Sequence, residues 1–551
     1  MNEANNRVNI INFVRGVEPR LPIDLLDTLK REIALVNQYD LPATWLIQYD
    51  ALIDPQFTDV LKELDDRHEI GIWFEVVQPL TDRAGLAWRG RYPWDWHANV
   101  GFSIGYTPDE RVLLADLFME EFHRQFGYYP RSAGSWFMDA HLLGHLSDRY
   151  GIVASCNCKD QWGTDGYTLW GGYYNQAYYP SRLNGFMPAQ TAEGQIPVPV
   201  FRMLGSDPIY QYDAADYGYG QSVITLEPVY TGAEGGGGNP EWVRWFFDTS
   251  FGVPQLSFGY TQIGQENSFG WERISSGLID QIALLADWQR EDRVRVETLA
   301  ESGAWFKETY PVTPASSIIA LKDWRNSGKQ SLWYCSRFYR VNLLKDGAKF
   351  CLRDVHLFDE NYEERYLRDV CETEECWYDT LPVMDAGRWT DGQVRPGIVP
   401  VVRSENGQWE SMEAVRLERV EVDGDGDRLA LALILADGTE MAIAMEERSI
   451  AIRSDFPDWG LQLVWGNATA EIRYSADRIK YMYEGMSYGV DVQGAMLIDD
   501  PLETKSHKFA SAGDDSMKTQ DSAVAIAADD VHATSGSLFI LAQGNNVSLR
   551  F

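Results

Sequence analysis

Seven carboxylates stand at or beside the ends of apolar runs in the first half of the 551-residue chain: Glu18, Asp50, Glu75, Asp139, Asp160, Asp207 and Glu266. In a barrel of parallel β/α units the loops that follow the strands converge on one face, so carboxylates placed this way would gather into one ring. Such groups carry a desolvation cost unless chemistry, hydroxyl groups or arginines use them. Glycosidic cleavage uses them directly: one carboxyl stays protonated for the leaving oxygen and another stays ionised as nucleophile or water-activating base. The acid is assigned to Glu266, in Gln265-Glu266-Asn267 after the seventh apolar run. The nucleophile or base is assigned to Asp139, which ends Ser135-Trp136-Phe137-Met138-Asp139, and Glu75, two residues after Trp73, is a third catalytic candidate. Each has a structural alternative: Glu266 as a first-turn helix residue or arginine partner, Asp139 as a helix N-cap.

Around this ring a carbohydrate site needs flat rings for sugar C–H faces and polar groups for hydroxyls. The 20 Trp, 28 Tyr and 23 Phe make 13% of the chain, although large cores also use aromatics. The substrate-binding candidates are Trp73, Trp96, His97 and Trp162, with Glu18, Asp160, Asp207, Gln265 and Asn267 as polar contacts. Against this, Asp160 and Asp207 also suit turns or caps, and Glu18 beside Arg15 and Arg20 suits an ion pair at the barrel mouth. His141 and His145, at i and i+4, read as an interhelical or solvent-side pair rather than metal ligands. Six cysteines form no zinc spacing, and P-loop, nucleophile-elbow and dinucleotide motifs are absent, so neither a metal nor an organic cofactor is expected.

The elements that would hold these residues alternate apolar runs with amphipathic stretches over the first 300 residues. Strands are predicted at 8–17, 43–52, 69–77, 131–138, 152–157, 198–204 and 255–261. Helices are predicted at 24–39, 55–66, 111–126, 140–150, 240–249 and 272–289. Thr107-Pro108-Asp109-Glu110 reads as a helix start, and long aromatic-rich loops fall at 78–107 and 160–193. Past 315 the period drops to two, with strands at 331–342, 349–357, 414–422, 428–435, 440–444 and 537–541. The fold class is therefore α/β: a (β/α)7 distorted TIM-like barrel over 1–314, then a β-rich region over 315–551 holding one or two β-sandwich domains.

The order of these motifs resembles the polysaccharide-deacetylase-like (NodB-type) barrels, related in architecture to glycoside hydrolase families 38 and 57. The resemblance covers about residues 8–310 and rests on 8–20, on Tyr39-Asp40-Leu41-Pro42-Ala43-Thr44-Trp45, on Arg67-His68-Glu69-Ile70-Gly71 and on Tyr129-Pro130-Arg131-Ser132-Ala133-Gly134. It implies a divalent metal held by an Asp pair after the first strand and an H-x-x-x-H pair after the third. Here those places read Arg15-Gly16-Val17-Glu18 and Ile72-Trp73-Phe74-Glu75-Val76-Val77. Trp, Val and Glu cannot stand in for two imidazoles, which leaves the glycosidase branch, where a strand-four nucleophile and a strand-seven acid fall at Asp139 and Glu266. The whole chain also resembles bacterial proteins grouped only as domains of unknown function, which implies no activity.

The expected function is metal-independent hydrolysis of a glycosidic bond in an oligosaccharide or a bacterial or plant glycan. The alternatives are a non-catalytic carbohydrate-binding protein and a deacetylase with an atypical metal site. A formal charge of −34 repels nucleic acid and anionic lipid. With no apolar run long enough to span a bilayer and no secretory signal pattern, a cytoplasmic protein is expected. Assembly into an oligomer is compatible with the sequence.

Overall fold

The computed structural model describes residues 5–212, 224–232, 235–390, 394–423, 427–499, 531–533 and 536–551. Seven parallel strands form the barrel: β1 (Arg7–Val14), β2 (Thr44–Ile47), β3 (Glu69–Trp73), β4 (Ser132–Gly134), β5 (Ala154–Cys158), β6 (Val200–Met203) and β7 (Tyr260–Ile263). Their spatial order is 7-1-2-3-4-5-6. The gap between β6 and β7 is bridged by Gln262, which accepts from the Leu204 N–H at 2.9 Å and donates to the Ile11 carbonyl at 3.2 Å.

Both faces of these strands are buried, and their residues alternate between two cores. Val8, Ile10 and Val14 of β1, with Ile72 of β3, pack outward against the helices, while Ile11, Phe13, Leu46, Trp73, Cys156 and Phe201 fill the lumen. The helices α1 (Leu25–Gln38), α2 (Pro55–Lys62), α3 (Pro108–Phe126), α4 (Ala140–His145), α5 (Pro240–Phe251) and α6 (Trp271–Arg290) surround the strands. Thr107 caps α3 through the capping box with Glu110 that the sequence announces. The residues anticipated as α4's second half form a π-helical turn instead, Leu146–Tyr150. His145 does act between helices, its Nε2 lying 2.7 Å from Asp116.

Two elements follow the last anticipated helix. Strand β8 (Arg295–Glu297) pairs with the start of β1, and α7 (Leu299–Thr309) closes the barrel's amino end. There Asn9 donates to Glu297, Thr298 and Ser302, and the Arg7 guanidinium stacks 3.5 Å from the Trp305 ring centroid. With that end plugged, the opening is at the carboxyl ends of the strands. The loop at 78–107 is not structureless either: it carries short helices at Gln78–Ala84 and Ala98–Gly101.

Beyond Ser316 the chain is β-rich, and the strands Lys349–Leu357 and Ala414–Val422 fall where the period-two runs place them. The run at 331–342 is broken into a hairpin, Gln330–Cys335 and Tyr339–Asp346, because Ser336 Oγ accepts from the Phe338 and Tyr339 N–H groups and turns the chain. Two large antiparallel sheets result among the described residues.

Barrel and β-rich region meet over buried charge. Asp160 pairs with Arg202 at 2.7 Å and with Arg340, which also grips Asp354 through two hydrogen bonds of 2.9 and 2.7 Å. Beside them Trp170 donates to Asp385 at 2.9 Å and Tyr174 stacks on Trp333 at 3.7 Å. Removing one partner of a buried ion pair strands the other charge. Arg340→Met should therefore cost about 3–5 kcal/mol, read as a lowered urea midpoint.

Candidate active site

The alternation that fills the lumen also builds the mouth. Two residues past Phe13 on the same face is Arg15; two past Leu46 is Gln48; two past Trp73 is Glu75. Glu266 follows β7 and bridges to Phe13. These side chains meet. Arg15 Nε lies 2.7 Å from Glu266 Oε2, and its Nη1 and Nη2 lie 2.8 and 3.2 Å from the two Glu75 oxygens. Gln48 Nε2 and Trp94 Nε1 donate to Glu75 at 2.7 and 2.9 Å. The guanidinium also stacks 4.2 Å from the Trp94 ring. Arg15 is 1% exposed, Glu75 2% and Glu266 5%.

Burial pushes the Glu75 carboxyl up, against the lowering effects of Arg15 and of the Trp94 and Trp73 indoles. Burial pushes Glu266 up too; Arg15 opposes it, while Glu75 and Asp165 add to it. Beside them Asp50, past the end of β2, is held at about 6, chiefly by burial and despite hydrogen bonds from the Gly16 and Ala51 N–H groups. Gly16 must be glycine for this approach, since a Cβ would sit 2.9 Å from Ala51 N and 3.1 Å from the Asp50 carboxyl carbon.

The remaining candidates divide. Trp73 is the floor beneath the pair, packed on Phe13 and Trp136. Trp96 lies at the rim, under the Arg20 guanidinium that Glu18 grips at 2.9 and 3.0 Å, so Glu18 is the ion pair its alternative foresaw. Gln265 keeps a buried Nε2 without a partner. Asn267 is not free for substrate: its Oδ1 accepts from the Arg15 N–H at 2.9 Å and its Nδ2 donates to the Arg15 and Leu25 carbonyls. It positions Arg15. His97 faces Glu374 at 3.7 Å, and Trp162 packs edgewise on Trp170 and Trp377.

Three carboxylates are corrected. Asp139 is 0% exposed; it caps α4 through the Leu142 N–H and is bound by Arg111 at 3.2 Å and by Ser103. Its neighbour is Glu364, which takes the Ala140 and Gly185 N–H groups and is pushed to about 8 by burial and by Asp139. Among the described residues Asp139 and Glu266 share no partner. Asp160 is consumed by Arg202 and Arg340 as above. Asp207 folds its own turn, accepting from the Ile209, Tyr210 and Trp242 N–H groups. Arg15, Gln48 and Trp94 complete the site in their place.

A divalent metal does not fit here. The space between Glu75 and Glu266 holds a guanidinium, which has no lone pair to give and repels a dication. No group of three His, Cys, Asp or Glu side chains that could hold an ion occurs among the described residues. Beside the mouth a groove of about 470 Å³ runs between the starts of α1 and α6, lined by Leu21, Ile23, Asp24, Phe269, Trp271 and Arg273.

No family model and no curated protein sequence matches the chain. Among solved structures, a Parabacteroides distasonis protein provisionally named a glycoside hydrolase/deacetylase aligns at 16% identity and a TM-score of 0.51, over 68% of this chain and 90% of that one. The fold is shared. A Mycobacterium smegmatis protein provisionally named a polysaccharide deacetylase aligns at 12% identity and TM-score 0.35, over 55% and 91%.

Asp50 gives a stability test. Its carboxyl is raised in the folded chain, so it stabilises the fold fully below its unfolded value near 4 and this contribution is lost as pH climbs through about 6. Asp50→Asn should therefore raise the thermal midpoint at pH 7, by an amount equivalent to about 3 kcal/mol, and flatten the pH dependence between about 4 and 6.

Proposed function

We propose that the chain is a carbohydrate-cleaving hydrolase, acting on glycosidic bonds without a metal through Glu75 and Glu266. The observation that carries this is the charge count at the mouth: one guanidinium serves two buried carboxylates. It can balance one. The other is pushed by burial toward its protonated form, and glycosidic cleavage requires such a division between a protonated and an ionised carboxyl.

Donor number decides which is which, because hydrogen bonds to a carboxylate favour its charged form. Glu75 receives Arg15, Gln48 and Trp94, whereas Glu266 receives Arg15 alone at its Oε2. Glu75 is thus the ionised nucleophile or base and Glu266 the proton donor to the leaving oxygen. Trp96 and the groove toward Phe269 and Trp271 supply ring faces for the sugars. The provisional name of the Parabacteroides distasonis protein that shares the fold, glycoside hydrolase/deacetylase, supports the coarser part of this reading, a hydrolase that processes carbohydrate.

Screening aryl glycosides and oligosaccharides for hydrolysis tests it. Glu266→Gln and Glu75→Gln should each lower kcat by about 10²–10⁴, while a chelator leaves the rate unchanged. Asp139→Asn should lower stability, with kcat of the folded fraction kept near wild type. Sugar binding without cleavage across the panel, or full loss of activity on chelation, would overturn the reading.

A further inference from the structure

Across the mouth from Arg15, strand β5 ends at Cys158 and is followed by Lys159-Asp160-Gln161. Lys159 is 1% exposed, yet within hydrogen-bond reach its ammonium has only the Gln161 Oε1 at 3.4 Å and the Cys158 Sγ at 3.8 Å. Both are long contacts to neutral groups, and an ammonium has three protons to place. No carboxylate within 4 Å of it occurs among the described residues. This is unusual in a chain with 82 acidic side chains against 48 basic ones, because buried charges are ordinarily paired. The adjacent Asp160 is taken by Arg202 and Arg340 in the interface with the β-rich region. Glu227, the acid that acts with Lys159 on the Cys158 thiol, accepts from Thr225 Oγ1 at 2.9 Å instead.

A second orphan stands beside it. Gln161 turns its Oε1 to the lysine, and its Nε2 is buried with no acceptor. Cys158 belongs to the ring-lined cluster that includes Phe13, Trp73 and Trp136, the floor beneath Glu75 and Glu266, so Lys159 Nζ, 3.8 Å from the Cys158 Sγ, lies on the lumen side of β5. One ammonium and one amide N–H, both without an anion, make a receptor for a single negative charge with two acceptor oxygens.

We propose that Lys159 and Gln161 bind the carboxylate of an acidic sugar, so that the substrate carries a uronic acid unit. This deepens the glycosidase reading and rests on it for the word substrate, but the binding claim stands by itself. A single cation matches a monoanion and the two donor groups match the two oxygens of a carboxylate, whereas a phosphorylated sugar would bring a second negative charge that this site does not balance.

The test is calorimetric titration of the full chain with galacturonate and glucuronate, with galactose and glucose, and with the uronate methyl esters, which keep the shape and lose the charge. The uronates should bind at least tenfold tighter than both sets of neutral compounds. Lys159→Met should erase that preference while Lys159→Arg keeps part of it. Met at this buried site removes an unpaired charge, so the variant is expected to fold; should it not, the comparison of acid with methyl ester in the wild-type chain decides alone. Equal binding of acid and ester, no uronate binding, or tighter binding of galactose 6-sulfate than of galacturonate overturns the proposal. Hydrolysis is read separately. Cleavage of neutral glycosides without uronate preference sinks this inference and leaves the glycosidase; uronate binding without any cleavage does the reverse.

Discussion

A buried guanidinium between two carboxylates is the constraint on which the mouth of this barrel depends. Arg15 is charged at any accessible pH, and burying it alone would be prohibitive. It is tolerated because β3 supplies Glu75, the segment after β7 supplies Glu266, and the 78–107 loop lays the Trp94 ring over its face. Asn267 then fixes the backbone of Arg15 from the β7 side, and Gly16 lets that backbone descend onto Asp50. Three strands and one loop are registered to each other by one cation. The geometry of the pair is therefore set by the same bonds that make its burial affordable.

Much of this was legible in the sequence, through parity. The alternation that predicts strands 1, 2, 3 and 7 also says which side chain stands one layer above Phe13, Leu46 and Trp73. Glu75 and Glu266 stand at strand ends and Arg15 and Gln48 lie on the same rows, but in sequence Arg15 reads only as a partner for Glu18, and Gln48 carries no charge to mark it. Trp94 has no such signal, since it arrives on a loop whose course no periodicity encodes. Strand ends were overrun by about three residues in β1 and four in β3 because the chain remains apolar and extended past its last ladder pair.

Asp139, Asp160 and Asp207 show the opposite limit. Each ends an apolar run in the way Glu75 and Glu266 do, and nothing local separates them. Their partners come from elsewhere: Arg111 lies 28 residues from Asp139 and Arg340 lies 180 residues from Asp160, on a strand of the β-rich region, whereas Glu75 and Glu266 draw on one arginine between them. What a carboxylate can do depends on how many fixed cations and donors balance its desolvation. That balance is a tertiary property. The helix-cap alternative for Asp139 was visible in sequence because capping is local; the arginine that completes it was not.

A guanidinium between two carboxylates gives the barrel mouth a different chemistry from a dication held there. A divalent metal between two carboxylates would hold both ionised and act on substrate oxygen as a Lewis acid. A single positive charge leaves the pair with one negative charge in excess, in a pocket where burial raises both carboxyls. Burial then favours a proton on the pair, and the three donors on Glu75 favour Glu266 as the place for it. In the proposed reading, general acid catalysis takes the place that a Lewis acid would have. Arg15 touches neither role directly; by supplying one charge where two would be needed, it makes two chemically equal carboxyls unequal.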